Sequence, residues 1–246
     1  MASFGFTAWR FKWLSLGGAL AASGFGFSLL FWGTLDWVIP VLLFFFCSSL
    51  LSKLGRHSSR AHEDDESTRT ATQVMANGGV AWAMLIGYFL LPNPLWLIGF
   101  LGSIAAATAD TWGTEIGRLS KGRAFSIVNW KPVDRGTSGG VSWQGTLGGV
   151  AGAILIAAFP VAVTESLGIT TGLMIIGAGV TGSLVDSLVG ALLQVRYIDN
   201  QGEIFESAGE ARTHHSGWTW MTNDAVNVCC TLVGAFVVML LYYAFL

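Results

Sequence analysis

The sequence predicts an all-α fold, a polytopic transmembrane helical bundle of about seven spans with a cytoplasmic N-terminus. Three observations predict it. Hydrophobic residues make up 52% of the 246 and charged residues only 11%, whereas a soluble domain carries roughly 25% charged residues and needs them to coat its core. The apolar residues fall in continuous stretches near the roughly 20 residues that cross a bilayer as a helix, without the alternation of a barrel strand. The thirteen Lys and Arg residues all fall in alternate connections. Mean hydropathy is +0.58, with 32 glycines and 5 prolines. This composition excludes a disordered chain, a coiled coil, a disulfide-stapled secreted module and a basic nucleic-acid binder.

The spans are expected at about 14–33, 37–51, 73–91, 95–115, 141–164, 169–194 and 223–246. The second is short and calls for tilting or for help from Trp37 and its neighbours. Ala19-Leu20-Ala21 resembles a signal-peptide cleavage site, but the apolar run continues to Trp32, so the first stretch reads as a span. Arg10 and Lys12 precede it; Lys53, Arg56, Arg60 and Arg69 follow the second span; Arg118, Lys121, Arg123, Lys131 and Arg135 follow the fourth; Arg196 and Arg212 follow the sixth. The turns near Asp36, Pro92-Asn93-Pro94 and Glu165-Ser166 carry no basic residue. The positive-inside rule therefore puts the N-terminus and the long loops in the cytoplasm and the C-terminus outside. The chain reads as one integral membrane domain, 1–246. Cys47, Cys229 and Cys230 lie in apolar stretches without metal spacing and read as small buried side chains. Gly148 and Gly152, spaced Gly-x-x-x-Gly, read as a helix-packing face.

Charge retained near the membrane is costly unless paired, hydrated or cation-bound, so its positions select candidate site residues. Asp110 and Glu115 lie at the end of the fourth span, Asp186 lies inside the sixth, Asp224 opens the seventh with Asn223 and Asn227, and Asn77 opens the third. The competing readings are an interfacial helix end for Asp110 and Glu115, an interhelical hydrogen bond for Asp186, and a first-turn acid for Asp224. All lie in the expected cytoplasmic half. Asp110 and Glu115 are five residues apart, roughly 140° round a helix, so they flank one ion only if the helix end unwinds, or else serve two ligands. Oxygen ligands of this kind suit Mg²⁺, which is held by one or two carboxylates plus substrate phosphates. The run Glu63-Asp64-Asp65-Glu66 reads as a solvated loop.

Before the fifth span runs Lys131-Pro132-Val133-Asp134-Arg135-Gly136-Thr137-Ser138-Gly139-Gly140-Val141-Ser142. It lacks the Lys-Ser/Thr of a Walker loop, yet glycines, hydroxyls and a helix N-terminus together suit an anion. Lys131 and Arg135 add charge for phosphate; the competing reading is a flexible turn into the membrane. Asp110-Thr111 and Asp186-Ser187 hint at a repeat too short to claim.

Several segments together resemble the phytyl-phosphate kinase family of integral membrane proteins. They are Gln73–Gly78, Ala109-Asp110-Thr111-Trp112-Gly113-Thr114-Glu115-Ile116-Gly117, Gly136-Thr137-Ser138-Gly139-Gly140-Val141-Ser142, Gly182–Ala191 and Asn223-Asp224-Ala225-Val226-Asn227. The resemblance covers about 48–246; residues 1–47 are poorly diagnostic, and no role is carried onto His214 or His215 in the loop 197–220. It implies a kinase that moves a phosphoryl group from a nucleoside triphosphate, CTP favoured over ATP, to a prenyl monophosphate such as phytyl or geranylgeranyl phosphate. Asp110, Glu115, Asp186 and Lys131 are then the expected catalytic residues. Asp110, Glu115, Asp186, Asp224 and Asn227 are the expected Mg²⁺ ligands. Phosphate falls to Asn77, Arg135, Gly136, Thr137, Ser138, Gly139, Gly140, Ser142, Ser187 and Asn223. The expected partners are the nucleotide, the prenyl phosphate and the bilayer, with a homo-oligomer allowed and nucleic acid excluded. The alternatives are another Mg²⁺-dependent lipid-phosphate transferase, cytidylyltransferase-like, and a secondary transporter, which the lack of polar residues in the outer half disfavours.

Overall fold

In the computed structural model, residues 2–58, 68–163 and 167–246 are described. Eight helices run through them: α1 Ala2–Arg10, α2 Leu16–Trp32, α3 Leu35–Ser58, α4 Ala71–Leu90, α5 Pro94–Leu119, α6 Trp143–Val163, α7 Ile169–Leu192 and α8 Asn223–Phe245. Six of them, α3 to α8, are long and apolar enough to cross a membrane, and α2 is a shorter apolar helix of 17 residues. At 1.5 Å per residue α2 reaches about 25 Å, slightly less than a typical hydrocarbon core. The seven expected spans are therefore all helices. The second is longer than the sequence suggests: α3 continues past Leu51 to Ser58, carrying Lys53 and Arg56 on its last turns. The added helix α1, which no apolar run announces, packs on α2. The run Glu63–Glu66, Arg60 and the Glu165-Ser166 turn lie outside the described residues.

Local signals set the helix ends. Thr70 and Gln73 form a capping box on α4, each side chain taking the other residue's backbone amide. Asn93 accepts the Leu95 amide at 2.9 Å ahead of Pro94, the first residue of α5. Thr222 caps α8 through the Ala225 amide, which leaves Asp224 in the first turn. Among the described residues, strands occur only in the connections. Ala124–Ser126 (β1), Pro132–Val133 (β2) and Gly140–Val141 (β3) form a small antiparallel sheet in the order β2-β1-β3. Arg196–Ile198 (β4), Ile204–Phe205 (β5) and Thr213–Ser216 (β6) form a second, in the order β5-β4-β6.

Helix α5 is the axis of the bundle, packed against α3, α4, α6, α7 and α8. Every residue from Ile98 to Ala109 is buried, because a run rich in Ala and Gly lets five neighbours approach one backbone. The glycine face of α6 confirms the packing reading of Gly148 and Gly152. A Cβ on Gly145, Gly149 or Gly152 would stand 2.7–3.0 Å from the carbonyl oxygens of Gly113, Ala109 and Thr108. Large apolar side chains such as Phe31, Leu173, Phe236 and Leu240 point outward, as a lipid-facing surface requires.

Consecutive spans alternate in direction, so the starts of α4, α6 and α8 meet the ends of α3, α5 and α7 at one end of the bundle. All described Lys and Arg residues lie at that end, here called the basic end. Trp9, Trp130, Trp143, Trp218 and Trp220 are exposed there, where an indole belongs at headgroup level.

Candidate active site at the basic end

A cavity of about 430 Å³ opens at the basic end. Its walls come from the ends of α3, α5 and α7, the starts of α4 and α8 with Arg69 just ahead of α4, the loop before α6, and Glu206 from the connection after α7. Most of the candidate residues meet in it: Asn77, Asp110, Glu115, Arg135, Gly136, Thr137, Ser138, Gly139, Gly140, Asp186, Ser187, Asn223 and Asn227 all line it. Lys131, Ser142 and Asp224 do not. Lys131 is exposed on the turn between β1 and β2. The Ser142 hydroxyl accepts the Gly145 amide at 3.1 Å and caps α6. Asp224 is half-buried on the first turn of α8.

The carboxylates of Asp110 and Asp186 face each other within hydrogen-bonding reach across the α5–α7 contact. Helix packing one turn away brings them together. Gly182, four residues before Asp186, is so close to α5 and α8 that a Cβ there would lie 2.7 Å from both the Ala106 Cβ and the Cys230 carbonyl oxygen. Ala106 in turn lies four residues before Asp110. Asp186 Oδ1 is buried and has no hydrogen-bond partner among the described residues, an arrangement that favours a cation or a donor from a ligand. Arg118, two turns beyond Asp110 on the same helix face, attracts it electrostatically, and Glu206 repels Asp186.

Helix α5 is continuous to Leu119, so Asp110 and Glu115 keep their angular separation although both reach the cavity. No group of three or more His, Cys, Asp or Glu arranged to hold a metal occurs among the described residues. The Asp110–Asp186 pair is thus the compact carboxylate unit, and Glu115 stands apart from it. Asn77 and Asn227 are brought to the cavity by a contact between α4 and α8, where the Thr231 hydroxyl donates to the Ala76 carbonyl at 3.3 Å.

The glycine loop is folded rather than slack. Gly136 and Gly139 have φ of +84° and +79°, a region that favours glycine. The Gly140 amide donates to the Thr137 carbonyl at 2.8 Å, and the Ser138 hydroxyl donates to Gln194 Oε1 at 2.8 Å. Gln194 passes the link on, its Nε2 donating to Glu206 Oε2 at 2.8 Å. The Arg196 guanidinium donates to the Ser138 carbonyl at 3.3 Å and to the Gly190 and Ala191 carbonyls at 3.4 Å. It thereby neutralises the negative end of α7 and fastens the loop to it. Arg135 donates to the Gly122 and Lys121 carbonyls at 3.1 and 3.2 Å, so part of its guanidinium shapes the loop.

Sequence reasoning missed several lining residues. Gln73 and Arg118 were within reach of it: Gln73 stands one turn before Asn77 and Arg118 two turns after Asp110, on shared helix faces. Arg69 lines the cavity from just before α4. Glu206 reaches it from beyond β5, and nothing in its local sequence marks it. Arg196→Ala removes the clamp on the glycine loop; about 1–2 kcal/mol of local stability is expected to be lost, read as a lower melting temperature in detergent together with faster amide exchange at residues 136–140.

The description "Integral membrane protein DUF92" belongs to a family whose sequence model matches residues 1–235. The chain belongs to this family. The match takes in residues 1–47, which carry no diagnostic motif of their own. An uncharacterized membrane protein of Methanocaldococcus jannaschii is 33% identical over 226 residues, 92% of this chain and 84% of the relative. Protein PGR of Arabidopsis thaliana is 27% identical over 80% of this chain and 78% of its own. The chloroplastic protein VTE6 of the same plant is 24% identical over 149 residues, 61% of this chain and 39% of its own. The matches agree with the resemblance drawn from the motifs. No solved structure matches the chain.

Proposed function

We propose that this protein is a prenyl-phosphate kinase, which transfers the terminal phosphoryl group of a nucleoside triphosphate, CTP in the first instance, to a prenyl monophosphate and forms the diphosphate. The observation that carries the reading is the pair Asp110 and Asp186, with a buried oxygen on Asp186 unpartnered among the described residues, set beside a glycine loop in a cavity that three arginines also line. The partial likeness to VTE6 supports it, as does the membrane family itself, since a lipid acceptor is reached from the bilayer.

The chemistry fits these residues. The acceptor is a phosphate monoester with a second pKa near 6, so at neutral pH it is largely a dianion and needs no strong base. The task is to bring two polyanions together, and phosphoryl transfer depends chiefly on positioning and charge neutralisation. Asp110 and Asp186 are the residues that would hold Mg²⁺, a fit supported by two facing carboxylates and an orphaned oxygen, and the ion would neutralise charge on the transferring phosphates. Glu115 and Asn227 line the same cavity and are left to orient ligands. Arg118, Arg135 and Arg69 offer guanidinium groups to phosphate. Thr137, Ser138 and Gly139 line the same cavity and would hold the donor. We place the basic end in the cytoplasm from the distribution of Lys and Arg. In spheroplasts, a membrane-impermeant maleimide should leave a Gln201→Cys variant unlabelled until the membrane is opened; labelling of intact spheroplasts would reverse the orientation.

Purified protein in detergent with Mg²⁺, CTP or ATP, and phytyl or geranylgeranyl phosphate is expected to yield the prenyl diphosphate. Absence of product across donors and chain lengths would overturn the reading.

A further inference from the structure

A second cavity of about 70 Å³ lies beside the polar one. Its wall is apolar along most of its length, with Phe25 and Leu29 from α2, Val38 and Leu42 from α3, and Ile104 from α5. Three residues belong to both cavities, namely Arg69, Gln73 and Asn77. They mark the mouth, where polar lining gives way to hydrocarbon. The Arg69 guanidinium carbon lies 5.7 Å from the centre of the Phe44 ring, so a cation and an aromatic wall stand side by side at that point. On α2 the lining runs from Ala22 to Leu29, about 10 Å along a helix axis. The cavity is thus a slot leading inward from the mouth.

Such a slot suits a ligand with an anionic head and a hydrocarbon chain. At about 10–15 Å³ for each water-sized unit, its volume matches about five to seven such units, close to one five-carbon isoprene. A longer chain has an exit, because α2 lies against α4 and touches α3 only sparsely, and Phe31, Phe46 and Leu50 on these two helices face outward. A third cavity, of about 60 Å³ between α5, α6 and α7, also adjoins the polar one, but hydroxyls of Ser142, Thr146 and Ser183 interrupt its wall.

We infer that the slot between α2, α3 and α4 receives the first isoprene unit of the prenyl phosphate, with the phosphate at Arg69, Gln73 and Asn77 and the remaining chain passing into lipid between α2 and α3. This rests on the prenyl-phosphate reading above and adds where the acceptor lies relative to the donor. The donor then occupies the glycine-loop side of the polar cavity, with Asp110 and Asp186 between the two phosphates.

The test uses the full chain in detergent and geranylgeranyl phosphate bearing a diazirine on its first isoprene unit. Light-induced labels competed by unlabelled geranylgeranyl phosphate are expected within residues 22–29 and 38–45. In parallel, Val41→Phe and Leu42→Phe fill the slot and should raise KM for geranylgeranyl phosphate about tenfold or more, with KM for the nucleotide unchanged. Competed labels at Val150, Val180 or Leu184, in the third cavity, would overturn the inference. So would turnover of the lipid without competed labelling at 22–29 and 38–45, an outcome that leaves the kinase standing. Neither turnover nor competed labelling would remove the kinase reading, and the tail site with it.

Discussion

Asp110→Asn and Asp186→Asn are each expected to lower turnover about 10²–10³-fold, the scale seen when one preorganised electrostatic contact to a transition state is removed. The two carboxylates face each other across the contact of α5 with α7. Each substitution keeps the side-chain shape and removes one negative charge from a site whose proposed occupant is a cation. Folding should survive, because an amide in either position can donate to the remaining carboxylate, and one of two facing like charges is gone. The melting temperature in detergent should therefore stay level or rise while activity collapses. The double variant should be little worse than either single one, since residues that act as a unit are not additive. Steady-state kinetics with thermal unfolding checks this; near-normal turnover in both single variants would sink the assignment of the pair.

Gly182→Ala is expected to damage stability and activity together. The added Cβ meets the Ala106 Cβ and the Cys230 carbonyl oxygen at 2.7 Å, and neither partner can yield, one being a side chain without rotamers and the other backbone. Overpacking of this kind costs about 1–3 kcal/mol. The neighbouring helices must also separate, and Asp186 and Asp110 each stand one turn away on the displaced helices. A shift of a few tenths of an ångström at the crossing reaches the carboxylates. The expected result is a lower melting temperature and at least about tenfold lower turnover, because positioning supplies much of the rate. Gly177→Ala on the same helix is the control, since its Cβ would enter open space. Equal behaviour of the two variants would contradict this account of how the pair is set.

Much of this was legible in the sequence. The spans were, because a bilayer demands long unbroken apolar runs. The shared location of Asp110, Asp186, the glycine loop and Asn223 was, because alternating spans return to the same side. Other features were not. That α5 is the axis depends on which of several small-residue helices is central, and every glycine-rich span carries the same local signal. The roles of Arg196 and Gln194 arise from contacts across 58 and 56 residues of chain. Glu206 approaches through a small sheet of two- to four-residue strands, too short to announce itself by periodicity. Ser142 illustrates the converse: it sits in a persuasive motif, and its hydroxyl is taken by the first turn of α6.

The central claim is that the terminal phosphoryl group of the donor moves to a lipid phosphate. The most direct measurement supplies purified protein and geranylgeranyl phosphate with CTP or ATP labelled separately at the α- or γ-phosphorus. The account predicts γ-label in the prenyl diphosphate and release of the nucleoside diphosphate. Appearance of α-label in the lipid with release of pyrophosphate would make the protein a nucleotidyltransferase, and absence of label from the lipid would contradict phosphoryl transfer altogether.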